Sequence, residues 1–288
     1  MRRALVTGGS GFLGRYLCAA LRNHRWDVTA AGRAEVGNVV RVSDWRAQLD
    51  HSQPDLIFHL LGTRAAESDE KFDAVNLWSA RALMSAIEAS GSRALSVFLM
   101  GSAAEYGDVP AERQPISENE PARPLSAYGR SKLRATNEAL LFAERGLHVT
   151  VVRAFNIFAR DMPRSLFPGV LLAQLRDKTP IRLGQLDAVR DFLRADIAMD
   201  LLARLGSVSL ASGTIVNLCS GRGLNIAEIA AAILQHAGRA DEMQMRADSG
   251  SSQSANVSCA VGDNALLRTL LTPFPAPPAL EDFAALVG

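Results

Sequence analysis

The chain has 288 residues, of which 48% are apolar and 21% charged, a balance typical of a folded globular protein. Its net charge of +1 gives no electrostatic reason to expect a nucleic-acid or membrane partner. The three cysteines and five histidines show neither a disulfide framework nor metal-ligand spacing, so we expect no metal. The chain begins without the apolar stretch of a signal peptide and contains no run of about 18 apolar residues, which predicts a cytoplasmic protein.

The first 155 residues alternate short apolar runs with longer periodic segments. Strands are predicted at residues 3–6, 27–31, 39–42, 55–60, 94–100 and 149–153, and helices at 12–22, 71–89 and 127–145. This alternation favours an α/β fold with a doubly wound parallel sheet. His59, inside the fourth of these strands, is interpreted as a hydrogen-bonded core residue.

The pattern loosens after residue 155. Helices are predicted at 168–176, 192–205 and 226–237, with strands around Ile181 and at 214–218 and a short helix at the end. Residues 250–254 (GSSQS) are predicted to form a loop. We therefore expect a dinucleotide-binding domain at 1–155, with 191–218 returning to it. A smaller, interleaved substrate-binding domain would contain 156–190 and 219–288.

Residues 7–14 read TGGSGFLG, between the first predicted strand and the first predicted helix. Three of these glycines fit the pattern G-x-G-x-x-G, which lets the backbone N–H groups of a helix start approach a pyrophosphate closely. We expect a dinucleotide cofactor to contact five residues here: Gly8, Gly11, Phe12, Leu13 and Gly14.

The residues after the second predicted strand bear on the choice of cofactor. An acidic residue there would bond the ribose of NAD, whereas this sequence has Gly32-Arg33, with Glu35 two residues later. Since an arginine can pair with a 2′-phosphate, the pattern favours NADP(H) over NAD. Further on, Asp44 and Trp45 are candidates for contact with the adenine, although Asp44 could equally cap a helix.

A tyrosine and a lysine in the segment YGRSK are candidates for catalysis. Tyr128 and Lys132 lie four residues apart and share one face of the predicted helix. A neighbouring cation favours the phenolate form, which allows a phenol to exchange protons near neutral pH. Ser102 lies two residues after the strand predicted at 94–100, at the sheet edge where ligands of open α/β sheets bind.

At this point the sequence resembles the extended short-chain dehydrogenase/reductase family of NAD(P)-dependent sugar-nucleotide epimerases, dehydratases and reductases. The resemblance is carried by TGGSGFLG, PDLIFHLLG (54–62), Asn76, GSAAEYG (101–107), YGRSK (128–132), RAFN (153–156), RDF (190–192) and NLCSGRG (217–223). It implies a Rossmann sheet, catalysis by Ser102, Tyr128 and Lys132, and a homodimer formed through a four-helix bundle.

The resemblance also implies further contacts. For the cofactor these are Leu61, Gly62, Tyr128, Lys132 and Phe155. For a nucleotide-linked sugar they are Thr63, Ser102, Ala103, Tyr128, Asn156, Arg182, Arg190 and Arg222. The usual substrate-binding arginine before the last strand is missing, because residues 248–255 contain none.

Within the family, the motifs look most like those of reductases of nucleotide-linked 4-keto-6-deoxyhexoses, with GDP-4-keto-6-deoxymannose reductase the nearest comparison. Ala104 stands where the dehydratases carry an acid–base glutamate, and Glu105 is expected to point to the other face of the backbone. The predicted function is NAD(P)H-dependent reduction of such a 4-keto sugar. Two alternatives stay open: an NAD-dependent epimerase, and a nucleotide-binding regulatory protein without turnover.

Overall fold

The computed structural model describes residues 1–92, 95–184, 186–242 and 257–287. Its strands are β1 (Arg3–Thr7), β2 (Asp27–Ala31), β3 (Leu56–His59), β4 (Ser96–Ser102), β5 (His148–Ala154), β6 (Asn156–Phe158), β7 (Val189–Arg194), β8 (Thr214–Leu218), β9 (Gly223–Asn225) and β10 (Cys259–Ala260). Its α-helices are α1 (Phe12–Asn23), α2 (Arg33–Val36), α3 (Val42–Ser52), α4 (Asp69–Asn76), α5 (Trp78–Ser90), α6 (Ala127–Glu144), α7 (Gly169–Arg176), α8 (Ala195–Leu205), α9 (Ile226–His236), α10 (Ala265–Leu270) and α11 (Leu280–Ala284).

Six strands form a parallel central sheet in the order β2-β1-β3-β4-β5-β8. The chain runs outward from β1 to β2 and then crosses back to place β3 on the other side of β1. This reversal opens a crevice at the carboxyl ends of β1 and β3, which is where ligands of doubly wound sheets bind. The expected parallel α/β sheet is confirmed.

Helices cover both faces of this sheet, so its strands are buried on both sides. On one face, Leu17 and Leu21 of α1 pack with Leu201 and Leu205 of α8. On the other face, a second cluster is supplied by α3, α5 and α6, with Trp45, Leu83, Ile87, Ala139 and Phe142 among its members. The core is therefore divided into two layers by the sheet.

A smaller sheet is built around β7, which pairs in parallel with β6 and β10 and antiparallel with β9. Phe158 and Phe192 on its apolar side belong to one buried cluster with α7, α9 and α11. Ile229 of α9 and Phe283 of α11 are part of the same cluster. Since β7 lies in this second sheet, the return of the chain to the central sheet begins with α8 and not at residue 191. The division into two domains stays a prediction.

Three predicted elements differ from the structure. Residues 39–42 form no strand, because Val40 and Val42 are 44% and 38% exposed and the chain turns there into α3. Ile181 lies outside any strand, and residues 192–194 belong to β7 rather than to a helix. In each case a short apolar run was compatible with more than one type of element. Whether the segment pairs with a neighbouring strand decided which element it forms. The loop predicted at 250–254 lies outside the described residues.

Asp191 connects the second sheet to the end of the first. Its carboxylate accepts hydrogen bonds from Ser220 N and Gly221 N at 2.8 Å each, and from Gly262 N at 3.3 Å. Burial raises the pKa of Asp191 to about 6, against the opposing effect of these donors. The carboxylate therefore fixes the turn after β8 against both β7 and the segment before α10.

His59 is buried beneath the crevice, as expected for a core residue. Its Nδ1 lies 2.9 Å from Thr7 Oγ1 and its Nε2 lies 3.3 Å from Ser79 Oγ. Burial, and secondarily the charge of Lys132, lower the pKa of His59 to about 3. The imidazole therefore stays neutral in the folded protein over the usual working pH range.

No helix in the described part of the chain is both long and apolar enough to cross a membrane.

His59 makes stability depend on pH in a predictable direction. Below its ordinary pKa of 6.5 the unfolded chain takes up a proton that the folded protein binds only near pH 3, so stability falls as the pH is lowered through this window. The expected slope is at most ~1.4 kcal/mol per pH unit. We expect a His59→Gln variant to be less stable than wild type at pH 7. Because only wild type is destabilised by acid through His59, we predict that this difference in the free energy of unfolding is ~2 kcal/mol smaller at pH 5 than at pH 7.

Urea unfolding of both proteins at pH 7, 6 and 5 measures the deficit. Asp191 acts in the opposite direction, because its raised pKa stabilises the fold below about pH 6. Both proteins keep Asp191, so its contribution cancels in the difference. A deficit of the same size at all three pH values would contradict the assignment.

Candidate functional site

A cavity of about 720 Å³ lies at the carboxyl ends of β1, β3 and β4 and continues between the two sheets. One end is lined by the glycine turn after β1, the middle by residues of β4 and α6, and the far end by residues of the second sheet and α7. The residues that connect the strands to the helices therefore meet around one space, as the strand order requires.

The glycine turn brings three segments of backbone into contact. Gly8 has φ of +71°, and a Cβ there would lie 2.9 Å from Leu61 N at the end of β3. A Cβ on Gly14 would lie 2.1 Å from Gly8 O. Both positions need glycine, the first for its backbone conformation and the second for the packing of α1 on the turn.

The start of α1 is open to an anion. No side chain caps the helix, and its first turn contains no acidic residue. By contrast, the N-termini of α4, α6 and α9 are capped by Ser68, Ser126 and Asn225. The backbone N–H groups and the positive end of the helix dipole at α1 are suited to a pyrophosphate, and Gly8, Gly11, Phe12, Leu13 and Gly14 all line the cavity here.

Arg33 lines the same end of the cavity, at the start of α2. The nearby acidic side chain, Glu35, folds back so that its Oε2 accepts a hydrogen bond from Gly32 N at 2.6 Å. Glu35 thus completes the cap of α2, and it is Arg33 that faces the cavity.

Asp44 and Trp45 are not brought to the cavity. Asp44 Oδ2 accepts a hydrogen bond from Asn38 N at 2.8 Å and closes the loop before α3. Trp45 is fully buried, with its Nε1 donating to Val39 O at 2.8 Å. The absence of a strand at 39–42 explains the difference, because the sequence interpretation placed both residues at the end of a strand that does not form.

Ser102, Tyr128 and Lys132 converge on the middle of the cavity. Ser102 ends β4, and its Oγ accepts a hydrogen bond from Ala104 N at 3.2 Å. This contact leaves the hydroxyl hydrogen available for a ligand. Tyr128 lies in the first turn of α6, where Ser126 Oγ accepts from Gly129 N at 3.0 Å and fixes the start of the helix.

The Lys132 side chain crosses from α6 to the end of β4. It is 6% exposed, and its Nζ donates to Met100 O at 2.6 Å. Within the described part of the chain this ammonium makes no other hydrogen bond and belongs to no ion pair. A buried cation with unused donors fits a cofactor or substrate hydroxyl placed beside Tyr128.

The segment after β3 is held in place by Asn76 of α4. Asn76 Oδ1 accepts from Thr63 N at 2.8 Å, and its Nδ2 donates to Thr63 O at 3.0 Å and to Ser131 Oγ at 2.9 Å. Leu61, Gly62 and Thr63 consequently form a fixed wall of the cavity beside Lys132, whose Nζ would lie 3.5 Å from a Cβ on Gly62.

The charges around the cavity are all of one sign. Five cationic side chains line it, and no aspartate or glutamate does so among the described residues: the cations are Arg33, Arg64, Lys132, Arg182 and Arg190. Because the net charge of the chain is only +1, this is a local concentration of positive charge. The cavity is therefore suited to ligands that carry several phosphates.

Sequence reasoning missed Arg64. Its guanidinium lies 4.8 Å from the centre of the Tyr128 ring, in the range of a cation–π contact. Its position directly after Thr63, at the end of a central strand, was the available signal.

Some of the predicted substrate residues line the cavity and others do not. Asn156, Arg182 and Arg190 line the cavity, as does Phe155, which was predicted as a cofactor contact. Arg190 also donates to Val257 O at 2.6 Å, and burial lowers the pKa of its guanidinium. Ala103 and Arg222 are not among the lining residues, and Arg222 instead reaches Pro278 O at 3.5 Å. Residues 248–255, where the expected arginine is missing, lie outside the described residues.

The chain is similar to enzymes that act on sugar nucleotides. It is 31% identical over 234 residues to the GDP-6-deoxy-D-talose 4-dehydrogenase of Aggregatibacter actinomycetemcomitans, covering 79% of this chain and 77% of that protein. It is 29% identical over 262 residues to the UDP-glucose 4-epimerase of Corynebacterium glutamicum, covering 79% and 78%. The names of both proteins give a sugar nucleotide as the substrate, but they give different reactions.

The fold agrees with a solved structure that contains a nicotinamide cofactor. The structure of RMD from Pseudomonas aeruginosa complexed with NADPH superposes with a TM-score of 0.86 at 23% identity, covering 100% of this chain and 98% of that one. Residues 4–219 match the profile of one family over both the glycine turn and the Ser–Tyr–Lys set. The chain therefore belongs to the NAD dependent epimerase/dehydratase family.

Proposed function

We propose that this protein is an NADP(H)-dependent reductase of a nucleotide-linked 4-keto-6-deoxy sugar. The observation that carries the proposal is the convergence of Ser102, Tyr128 and Lys132 on a cavity whose other end is the glycine turn. The same enzyme would catalyse the reverse reaction, the 4-dehydrogenation that gives the A. actinomycetemcomitans relative its name.

The three side chains have distinct roles in this reaction. A bound reduced nicotinamide supplies the hydride that reaches the carbonyl carbon. Ser102 donates a hydrogen bond to the keto oxygen, since its Oγ already accepts from Ala104 N. Tyr128 transfers its proton to the same oxygen as the alcohol forms, and the unused donors of the Lys132 ammonium bond a ligand hydroxyl beside it.

Ala104 argues against dehydration of the sugar. A 4,6-dehydratase needs a group that removes a proton beside the ketone, and the described lining of the cavity contains no carboxylate. Glu105, the nearest acid in sequence, lies in a 3₁₀ turn rather than on the expected extended backbone, and it is completely buried and does not line the cavity.

The positions of the cations support a phosphate-rich pair of ligands. Arg33 stands at the glycine-turn end, where a 2′-phosphate of NADP would lie, and Arg182 and Arg190 stand at the opposite end. We assign the latter pair to the diphosphate of the substrate.

A 4-epimerase is the second candidate, and the similarity to the C. glutamicum enzyme favours it. An epimerase would retain its cofactor through oxidation and re-reduction of one sugar carbon. Purification with tightly bound NAD, together with isomerisation in the absence of added reductant, would select this reading over the reductase.

The outer faces of α5 and α6 are the proposed homodimer interface. Trp78 and Leu141 are 43% and 50% exposed, and Arg81 and Glu138 join the two helices across 3.3 Å. Pairing of two copies would form a four-helix bundle and cover these apolar side chains.

The glycine cradle gives a direct test of cofactor binding. In Gly14→Ala the added methyl would meet Gly8 O and move α1 away from the turn. We predict that NADPH affinity, measured by fluorescence titration, falls by about tenfold or more, which corresponds to ~1.4 kcal/mol.

The matched control is Gly206→Ala, where the added Cβ would lie 2.7 Å from Phe58 Cζ, away from the cavity. This variant should lose stability and yet bind NADPH as wild type does. Equal losses of affinity in both variants would contradict the assignment of the cradle.

Arg33 should decide the preference between the two nicotinamide cofactors. We predict that Arg33→Ser lowers kcat/KM for NADPH by roughly 10- to 100-fold, since charge-assisted hydrogen bonds are worth ~1.5–3 kcal/mol. The value for NADH should change less than about threefold. Arg46→Ser, an exposed residue of α3, serves as the control. A parallel decrease for both cofactors would remove Arg33 from the 2′-phosphate site.

Tyr128 should be required for turnover but not for cofactor binding. We predict that Tyr128→Phe lowers kcat by roughly 100-fold or more, with NADPH and a panel of GDP- and dTDP-linked 4-keto-6-deoxyhexoses as substrates. Its NADPH affinity should stay near that of wild type.

Tyr106→Phe is the control, because the Tyr106 hydroxyl donates to Asn217 Oδ1 at 2.7 Å and does not line the cavity. Near-normal turnover by Tyr128→Phe would overturn the mechanism. Failure of wild type to reduce any sugar of the panel would overturn the proposed function.

A further inference from the structure

A buried carboxylate outside the cavity connects the elements that carry the catalytic side chains. Glu105 is completely buried, in a short 3₁₀ turn that directly follows Ser102. Its Oε1 accepts a hydrogen bond from Ser102 N at 2.8 Å. Its Oε2 accepts from Thr136 Oγ1 at 3.0 Å and from Arg153 Nε at 2.9 Å.

These three donors come from three different elements. Ser102 ends β4, Thr136 lies in α6, and Arg153 lies in β5. All three donor residues are at most 6% exposed, so water does not compete for the carboxylate. The charge of Glu105 is balanced by Arg153, whose guanidinium also lies over the Tyr106 ring at 4.5 Å.

The contact with α6 continues the spacing of the catalytic pair. Tyr128, Lys132 and Thr136 follow one another at intervals of four residues and so share one face of the helix. Lys132 bonds Met100 O, and Thr136 bonds the carboxylate that holds Ser102 N. The end of β4 is thus fixed to α6 on both sides of Gly101.

The serine and the glutamate also hold each other. Ser102 Oγ accepts from Ala104 N within the turn, while Glu105 accepts from Ser102 N, which is the reciprocal pattern of a capping box. The backbone and the side chain of Ser102 are therefore both restrained, with the hydroxyl hydrogen left for a ligand.

We propose that Glu105 is a positioning residue that sets the distance between Ser102 and Tyr128 during carbonyl reduction. It touches no ligand and acts through Ser102 N and Thr136 Oγ1. The role in turnover rests on the proposed function, whereas the restraint on Ser102 does not.

The variant Glu105→Gln tests this role because an amide has one acceptor oxygen. Its NH₂ group would face either the Ser102 N–H or the Thr136 and Arg153 donors, so at least one connection is lost. With NADPH and a GDP-linked 4-keto-6-deoxyhexose, we expect kcat to fall by roughly 10- to 100-fold, the usual cost of a misplacement of about 1 Å. The dissociation constant of NADPH should change less than about threefold.

Two further variants keep the test independent of a folding defect. Thr136→Val removes one hydroxyl at constant shape and should lower kcat by roughly three- to tenfold. Thr136→Ser, which retains the hydroxyl, should stay within about twofold of wild type. Glu118→Gln is the matched control, since Glu118 Oε1 accepts from Asn217 N at 3.0 Å and, among the described residues, Glu118 makes no hydrogen bond to α6.

A double-mutant cycle separates positioning from general stability. In a Ser102→Ala background, Glu105→Gln should cause less than about twofold further loss of kcat, because the group that it positions is already absent. An equal loss of kcat in both backgrounds, or unchanged kcat in Glu105→Gln and Thr136→Val, would overturn the proposal.

If wild type reduces none of the sugars, the proposed function fails and the positioning proposal is decided by hydrogen exchange on the intact chain. Glu105→Gln should then accelerate exchange of the Ser102 amide by about tenfold or more, and Glu118→Gln should leave it unchanged. Unchanged exchange in Glu105→Gln would overturn the restraint itself.

Discussion

The site depends on the docking of one helix, α6, against the end of one strand, β4. Lys132 spans this junction to Met100 O, and its ammonium is buried without an ion pair in the described part of the chain. Ser102 lies two residues further along β4, and Glu105 connects its N–H to Thr136 of the same helix. Because no carboxylate lines the described part of the cavity, the buried lysine is held by a carbonyl dipole and by its packing, and it faces the space where a ligand would sit.

Around this junction, the parallel sheet supplies the remaining components through its strand order. The carboxyl ends of β1, β3 and β4 lie side by side, so the glycine turn, the segment at 61–64 and Ser102 meet although they are far apart in sequence. Close backbone contact between Gly8 and Leu61 joins the first two of these segments. The electrostatic character follows from which side chains these ends carry, namely five cations and, in the described lining, no acid. Family membership and local charge together support a cofactor and a substrate that are both phosphorylated.

Several features that stabilise the protein are kept apart from the chemistry. His59 and Asp191 are buried, and neighbouring residues satisfy their hydrogen-bonding groups. Burial lowers the pKa of His59 and raises the pKa of Asp191. Glu105 and Arg153 form a buried pair, and neither residue lines the cavity. This separation leaves Tyr128 as the phenol that faces a ligand, while Tyr106 is tied to Asn217 in the core.

The sequence by itself determined the parts that depend on local pattern. The glycine turn, the four-residue spacing of Tyr128 and Lys132, and the strand–helix alternation each follow from short-range geometry, and they predicted the sheet and the family. Tertiary structure decided the rest. The run at 39–42 lacks a strand partner, so Asp44 and Trp45 are placed away from the cavity, and β7 was assigned by its pairing with β6, β9 and β10. Arg64 and Glu105 gained their positions only from packing across elements, because contacts between residues 31 to 64 positions apart leave no periodic trace in a single sequence.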